Sequence, residues 1–382
     1  MVDDKTITVL AVGDVSVNRE DPDSIFAHVS PVIQSADVAF CQLETTYSKR
    51  GQVPAEAPMV TLRVDPKNAT AIRNAGFSVL SFAGNHALDY GTEALLDTLE
   101  VVKENGINPI GAGRNIEEAR KPYITTCKGT RIAFLAYNSI LPVGYWADVN
   151  RPGCAPMRAS AVTVHKLYEQ VEPVYLYGGE DPILSFAQEG DKAAMIEDIK
   201  KAKAQADIVM VSMHWGIHFK EGEIAMYQKE VGYAALDAGA DVILGHHAHI
   251  LKPIEIYKGK PIIYCLGNFA FELELPPEVP KSYIWKKMME LNSNWVIDDR
   301  YRKYPWPVDS RMTMACKIII SDRQIKKLSF LPAIVNENIQ PRFLSSREKE
   351  FRDVLNYMER ICKSQKIETR FTVEGDEVVV SA

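Results

Sequence analysis

Cysteine is sparse in this chain and never clustered. The six cysteines (Cys41, Cys127, Cys154, Cys265, Cys316 and Cys362) include no CxxC pair. That scattering argues against a cysteine zinc cage, and in a reducing compartment leaves buried thiols as the simplest reading. A long apolar run is also missing. The N-terminus, MVDDKTITVLAVGD, has no basic n-region and too short an apolar stretch for a signal peptide or a membrane span. The expected location is therefore cytoplasmic, with no membrane partner. There are no repeats and no low-complexity tract. A basic excess is missing too: the formal net charge is -6, which argues against broad nucleic-acid binding. Histidine is rare, with eight in 382 residues. Yet three of the eight stand within four positions, in VILGHHAH (242–249).

What is present suits a large globular chain. Hydrophobic residues make up 46% and charged residues 25%, enough for a sizeable core in a long α/β unit. Short apolar runs alternate with amphipathic stretches. TITVLAVG (6–13), ADVAFCQLE (36–44), FSVLSFAGNH (77–86), RIAFLAYN (131–138), ADIVMVSMHWG (206–216), ADVILGHHAH (240–249) and KPIIYCLGNF (260–269) read as strands. Helices are expected over about 92–105, with Leu95, Leu96, Leu99 and Val102 on one face, and over 191–205 and 223–239. The alternation predicts a sheet covered by helices on both faces.

Two segments, about 141–190 and 270–311, break the rhythm, and loops of that length tend to be binding loops or lids. After them, 314–335 reads as a β-hairpin and 347–365 as an amphipathic helix. The expected organisation is one domain over 1–335 with those two insertions, and a 336–382 extension packed on it.

The strand ends share a property. The apolar runs stop at Asp14, Glu44, Asn85–His86, His214 and the run His246, His247, His249. In open α/β sheets ligands bind beyond the carboxyl ends of the strands. If the strands are parallel, all five tips meet on one edge. Carboxylate, amide oxygen and imidazole together suit Mn, Zn or Fe. A shared carboxylate would let two ions lie close enough to clamp an oxygen and activate water. Taken singly, each feature also has a plain reading: a turn at Gly13-Asp14, a surface Glu44, a core His214. Five strand tips carrying ligand-type residues together favour the metal site.

The ordered set GDV, QLETT, GNHALDYG, HWG, DAGADVILGHHAH and YCLGNF resembles the CapA-type proteins of poly-γ-glutamate capsule synthesis, in the calcineurin-like metallophosphoesterase superfamily. The resemblance spans roughly residues 5–335. It implies a four-layer α/β/β/α sandwich with two divalent metal ions at the sheet edge. By position, Asp14 and Glu44 would serve one ion, with Glu44 bridging. Asn85, His214 and either His246 or His247 would complete the second, and His249 would return to the first. His86 would be the catalytic histidine. The superfamily's Asp-x-His opening carries Ser16 in place of the histidine here, so the first ion has fewer protein ligands.

Candidate substrate contacts are His218, at a position where this branch often carries Glu, together with Asn268 and Trp215. Lys286, Lys287, Arg300, Arg302, Lys303 and Arg311 are interleaved with aromatics in the second insertion. They read either as a solvated surface or as a lid gripping an anion. The expected activity is metal-dependent hydrolysis of a phosphoester or amide bond in a small anionic substrate. A metal-assisted lyase or ether cleavage, and a non-catalytic component of capsule-type polymer assembly, stand as alternatives. A homo-oligomer is compatible with all of these.

Overall fold

The structure, a computed structural model, describes residues 5–163, 183–290 and 295–382. Residues 164–182 of the first insertion lie outside the described residues.

The apolar runs form two sheets, not one. The ten-stranded sheet runs in the order Arg370–Glu374, Glu377–Ser381, Gln324–Val335, Met312–Ser321, Ile7–Ser16, Val38–Leu43, Val79–Ser81 and Asn108–Ile110. Asn268–Phe271 also pairs with Ile7–Ser16, and Pro341–Phe343 with Gln324–Val335. The six-stranded sheet runs Ile254–Tyr257, Lys260–Ile263, Val242–His246, Ile208–His214, Thr130–Asn138 and Tyr123–Cys127. The central strands are parallel in both, and antiparallel strands occupy the flanks.

Side-chain alternation sets the layers. Val9, Ala11, Phe40 and Val79 of one sheet meet Phe134, Met210, Leu244 and Ile263 of the other in a common core. The intervening residues face outward. Leu10, Ala39, Cys41 and Leu80 pack under the helices Ala69–Ala75 and Gly91–Glu104 through Ile72, Leu95 and Leu99. Leu135, Val209, Val211 and Ile243 pack under Glu189–Lys203 and Met226–Asp237 through Met195, Ile199 and Val231. Helix, sheet, sheet, helix is the resulting stack. Parallel strands covered on both faces read as continuous apolar runs, so the sequence pattern alone does not tell one sheet from two.

The segment KPIIYCLGNF, expected as one strand, divides between the sheets. Lys260–Ile263 pairs with Val242–His246, and Asn268–Phe271 pairs with Ile7–Ser16. The chain crosses at Gly267, whose φ is 73°, a backbone state in which glycine meets little steric resistance. The helix Lys349–Ser364 buries Phe351, Val354, Tyr357, Met358 and Ile361 in the inter-sheet core. The last two strands then extend the larger sheet. No described helix is long and apolar enough to cross a membrane.

Candidate metal centre

The parallel strands of the two sheets end on the same side and place polar residues in facing rows. Asp14, Gln42 and Ser81 are in register across the larger sheet. His246, His214 and Asn138 are in register across the smaller. Glu44 lies one residue past its strand, and Asn85 and His86 follow theirs by a short turn.

Asp14 reaches the space between the sheets only because its strand is irregular. Ile7, Val9 and Ala11 face inward, while Leu10, Val12 and Val15 face outward. Strict alternation would send Asp14 outward. The register shifts between Ala11 and Asp14 against one neighbour, and between Asp14 and Val15 against the other. Such a bulge re-aims a side chain, and the Asp14 carboxylate comes to lie 3.6 Å from His246 Nδ1 and accepts a 3.4 Å bond from the His247 amide. Gly13 and Gly245 permit the close approach. A Cβ at Gly13 would stand 1.8 Å from the Gly267 carbonyl oxygen, and one at Gly245 2.1 Å from that of Tyr264.

The histidine run owes its density to its backbone. His247 and His249 have φ of 89° and 57°, left-handed values that cost non-glycine residues on the order of 1–2 kcal/mol each. This winding aims both imidazoles toward the carboxylates, while Ala248 and Ile250 join Cys265 in a small apolar cluster beneath. Strain of this kind persists where the surroundings hold it, commonly at functional sites.

Two groups of donors result. Glu44, His214 and His247 each bring a ligand atom within 4.8 Å of the others, and so do Asp14, Glu44 and His249. Glu44 belongs to both. His214 Nε2 is 2.6 Å from Asn85 Oδ1 and 3.9 Å from Glu44 Oε1. His247, not His246, joins Glu44 and His214. The His246 ring lies deeper, 5.9 Å from that of Phe40 between the sheets.

His249 Nδ1 is 2.8 Å from Asn268 Oδ1, which leaves Nε2 facing Glu44 Oε1 at 3.6 Å. Asn268 in turn donates from Nδ2 to the Tyr304 hydroxyl at 3.2 Å. Asn268, expected as a substrate contact, therefore stands behind His249 and sets its orientation.

Trp215 is displaced from its expected role altogether. One residue past His214, it points to the opposite face, fully buried in the outer core, where its Nε1 donates to the Tyr264 carbonyl at 3.0 Å. His218 does reach the site. Its ring lies 3.9 Å from that of His247 and 5.3 Å from that of His249.

His86 is held by a residue that sequence reasoning missed. Asp89 Oδ2 lies 2.6 Å from His86 Nδ1, and Asp89 also accepts from the Leu62 amide at 2.7 Å and the Tyr145 hydroxyl at 3.4 Å. The opposite nitrogen of His86 lies 3.9 Å from Glu44 Oε1. Asp89 lies within GNHALDYG, three residues past His86, and that spacing was its only signal.

Burial governs the electrostatics. It pushes the Asp14 carboxyl up to about 8, against the His247 amide, which favours the charged form. It drives Glu44 well above the usual carboxylate range, with Asp14 and Asp89 adding like-charge repulsion. Burial likewise depresses His246 and His249 to about 3, and holds His214, His218 and His247 well below the ordinary imidazole value. The protein alone thus disfavours both the carboxylates and the imidazolium forms. Asp14 Oδ1, both Glu44 oxygens, His214 Nδ1 and His247 Nδ1 are buried with no hydrogen-bond partner. Buried polar atoms without partners are destabilising, and a cation among these oxygens and ring nitrogens would satisfy them together. The donor set fits divalent metal ions.

The second insertion covers one side of this cluster. Trp285, Trp295, Tyr304 and Trp306 are buried with Phe219 and Phe271 in a small aromatic core, and Trp306 stacks on His249 at 4.4 Å. The aromatic residues are structural. Of the cations expected to grip an anion, Arg300 and Arg311 both bind Asp298, at 2.8 Å and 3.1 Å, and Lys287 pairs with Glu290 at 3.1 Å.

The family model for the bacterial capsule synthesis protein PGA_cap matches residues 8–273. The chain belongs to the PGA_cap family. All the strand-tip residues described above, from Asp14 to Asn268, fall inside the matched span. The chain is 29% identical over 278 residues to the PGA biosynthesis protein CapA of Bacillus subtilis, covering 70% of this chain and 64% of that protein. It is 30% identical over 248 residues to a Mycobacterium tuberculosis protein named "Probable polyglutamine synthesis accessory protein", covering 63% and 57%. The chain thus spans less than two thirds of the length of these PGA_cap relatives. Among solved structures, it is similar to the calcineurin-like phosphoesterase YfkN of Bacillus subtilis at 12% identity and a TM-score of 0.41, covering 94% of this chain and 97% of that one.

Proposed function

We propose that this PGA_cap protein is a metal-dependent hydrolase that cleaves a phosphoester or amide bond in a small anionic substrate. The observation that carries the reading is the pair of three-residue donor groups joined through Glu44, with their buried atoms otherwise unpartnered. Asp14, Glu44 and His249 would hold one ion. Glu44, His214 and His247, with Asn85 at hand, would hold the other. Two divalent cations in such a site supply Lewis acidity toward a phosphoryl or carbonyl oxygen and lower the pKa of an attacking water.

The chain's own residues supply the rest. Asn268 fixes His249 with its Nδ1 toward the amide oxygen and its Nε2 toward the Glu44 carboxylate. Asp89 holds His86 through Nδ1, leaving Nε2 to deliver a proton to a leaving group or to steady developing charge. The His86 side chain is 11% exposed, against none for His214, so it stands at the solvent side of the cluster where a substrate arrives. His218 flanks His247 as a neutral imidazole wall for that substrate.

Elemental analysis of the purified protein, followed by a screen of phosphoesters and amides with Mn, Zn and Fe, tests this. His86→Ala is expected to retain metal and to lose about 10²- to 10⁴-fold in turnover. Protein that binds no metal under any of these conditions would refute the reading. A second reading, a non-catalytic part in polymer assembly, is favoured by the accessory role in the name of the mycobacterial relative. On that reading metal removal leaves partner binding unchanged.

A further inference from the structure

The segment following Trp215 closes over the histidine cluster. His218 lies against His247 and His249, and Phe219 lies 5.7 Å from both His249 and Trp306 and 4.6 Å from Trp295. Phe219 is held in a left-handed conformation, φ 56°, and its amide donates to the Ala248 carbonyl at 3.2 Å. Backbone strain of this kind persists only where the surroundings hold it.

Lys252 is in position to do so. Its side chain is buried, 2% exposed. The ammonium donates to the main-chain carbonyls of Lys220 and, at 2.9 Å, of Glu223. Both carbonyls belong to the stretch just past Phe219. The Lys252 amide donates to the Cys265 carbonyl at 3.1 Å, so the residue is anchored in the framework under the histidine run. Burial lowers its ammonium to about 8, with Cys265, Glu223 and Glu221 opposing that shift. A buried cation with two of its three donors on carbonyls, and no part in the proposed chemistry, calls for a positional explanation.

We infer that Lys252 is a positioning residue whose ammonium latches the 216–225 loop by its Lys220 and Glu223 carbonyls, and thereby keeps His218 and Phe219 seated on His247 and His249. Charge-assisted bonds to carbonyls are the stronger kind, and two from one buried group fix a short loop with little freedom. The consequence for metal binding rests on the dinuclear reading, since His247 and His249 are its proposed ligands. The latch itself does not.

Two measurements on the full chain separate these. In hydrogen exchange without added metal, Lys252→Met is expected to speed exchange of the Phe219 amide at least about tenfold. Amides of Ile208–His214 should keep their wild-type rates. Unchanged exchange at Phe219, or equal acceleration along Ile208–His214, overturns the latch. In Mn²⁺ and Zn²⁺ titrations, Lys252→Met and His218→Ala are each expected to weaken binding about tenfold. The double variant should be no weaker than either, because both act through one contact. Additive losses, or wild-type affinity in Lys252→Met, refute the coupling. If the wild-type chain binds neither ion, the dinuclear reading fails and the exchange data alone decide the latch. Should Lys252→Met not fold, Lys252→Gln, which keeps a shorter neutral donor, is measured instead and is expected to accelerate Phe219 exchange to a smaller degree.

Discussion

Metal-free protein should have a stability optimum near pH 6.5 and weaken on both sides of it. The reason lies in the opposed burdens of the cluster. His214, His218, His246, His247 and His249 are held neutral by burial, against an ordinary value of 6.5. A group whose folded pKa is depressed makes the native state lose stability as pH falls below the unfolded value. Five imidazoles together make that loss steep on the acid side. Asp14 and Glu44 act in the other sense, because their folded pKa values are raised. Their native-state contribution is intact below the unfolded carboxylate value and is lost as pH rises toward the folded one. Between about pH 4 and 6.5 the histidines outnumber the carboxylates and stability climbs. Above about pH 7 the histidines are largely neutral in both states and the carboxylates dominate, opposed toward pH 8 by Lys252, whose ammonium burial lowers to about 8. With Asp14 near 8 in the folded state, and about 1.4 kcal/mol per pH unit, Asp14 alone removes about 2 kcal/mol between pH 6.5 and 8. Glu44 adds to that loss. Bound divalent ions reverse the trend, since ligation needs the carboxylates ionised and the imidazoles neutral. Urea unfolding of chelator-treated and metal-loaded protein across pH 5 to 8.5 measures this directly. The gap between the two should widen above 6.5, and Asp14→Asn should flatten the alkaline limb of the metal-free protein. Metal-free stability that holds steady or rises from pH 6.5 to 8, with Asp14→Asn tracing the wild-type curve, would show that these carboxylates are not desolvated as described.

Three further outcomes are expected. Asn268→Leu removes the acceptor at 2.8 Å from His249 Nδ1 and should weaken metal binding about 10- to 100-fold, read by calorimetric titration, with the fold retained by circular dichroism. Asp89→Asn keeps the shape but loses the charge beside His86 and should cut hydrolytic turnover about tenfold or more while metal content is unchanged. An activity loss accompanied by metal loss would instead place Asp89 in ligand support. Trp215→Phe should lower unfolding free energy by about 1–3 kcal/mol through the lost indole bond and packing, yet leave metal affinity at wild-type level. A marked affinity change would return Trp215 to the site.

Much of the site was legible because ligand-type residues interrupt apolar runs. Asp14, Glu44, Asn85, His86, His214 and the 246–249 histidines could be singled out from residue type and position alone, and the structure brings them together. His218 was legible as an anomaly after HWG. Residues that act through others left weaker traces. Asp89, Tyr145, Tyr304 and Lys252 lie on turns or loops where a carboxylate, a phenol or an ammonium looks like ordinary surface. Their roles depend on contacts 27 to 56 residues away: Asp89 with Leu62, Lys252 with Lys220, Tyr304 with Asn268 and Tyr145 with Asp89. The aromatics among 285–306 misled in the other direction. Interleaved with Lys and Arg they resemble a ligand lid, but they fold inward as a core of their own.

By itself the sequence determined most of the central strands and their covering helices, and which strand ends carry groups able to bind a cation, because apolar periodicity and residue chemistry are local properties. Only the tertiary structure decided that the strands part into two facing sheets, that a bulge turns Asp14 inward, that left-handed backbone at His247 carries its ring next to Glu44 and His214, and that Trp215 faces away. Those outcomes rest on strand pairing, register and close backbone approach. These are relations between residues far apart in the chain, and no local pattern encodes them.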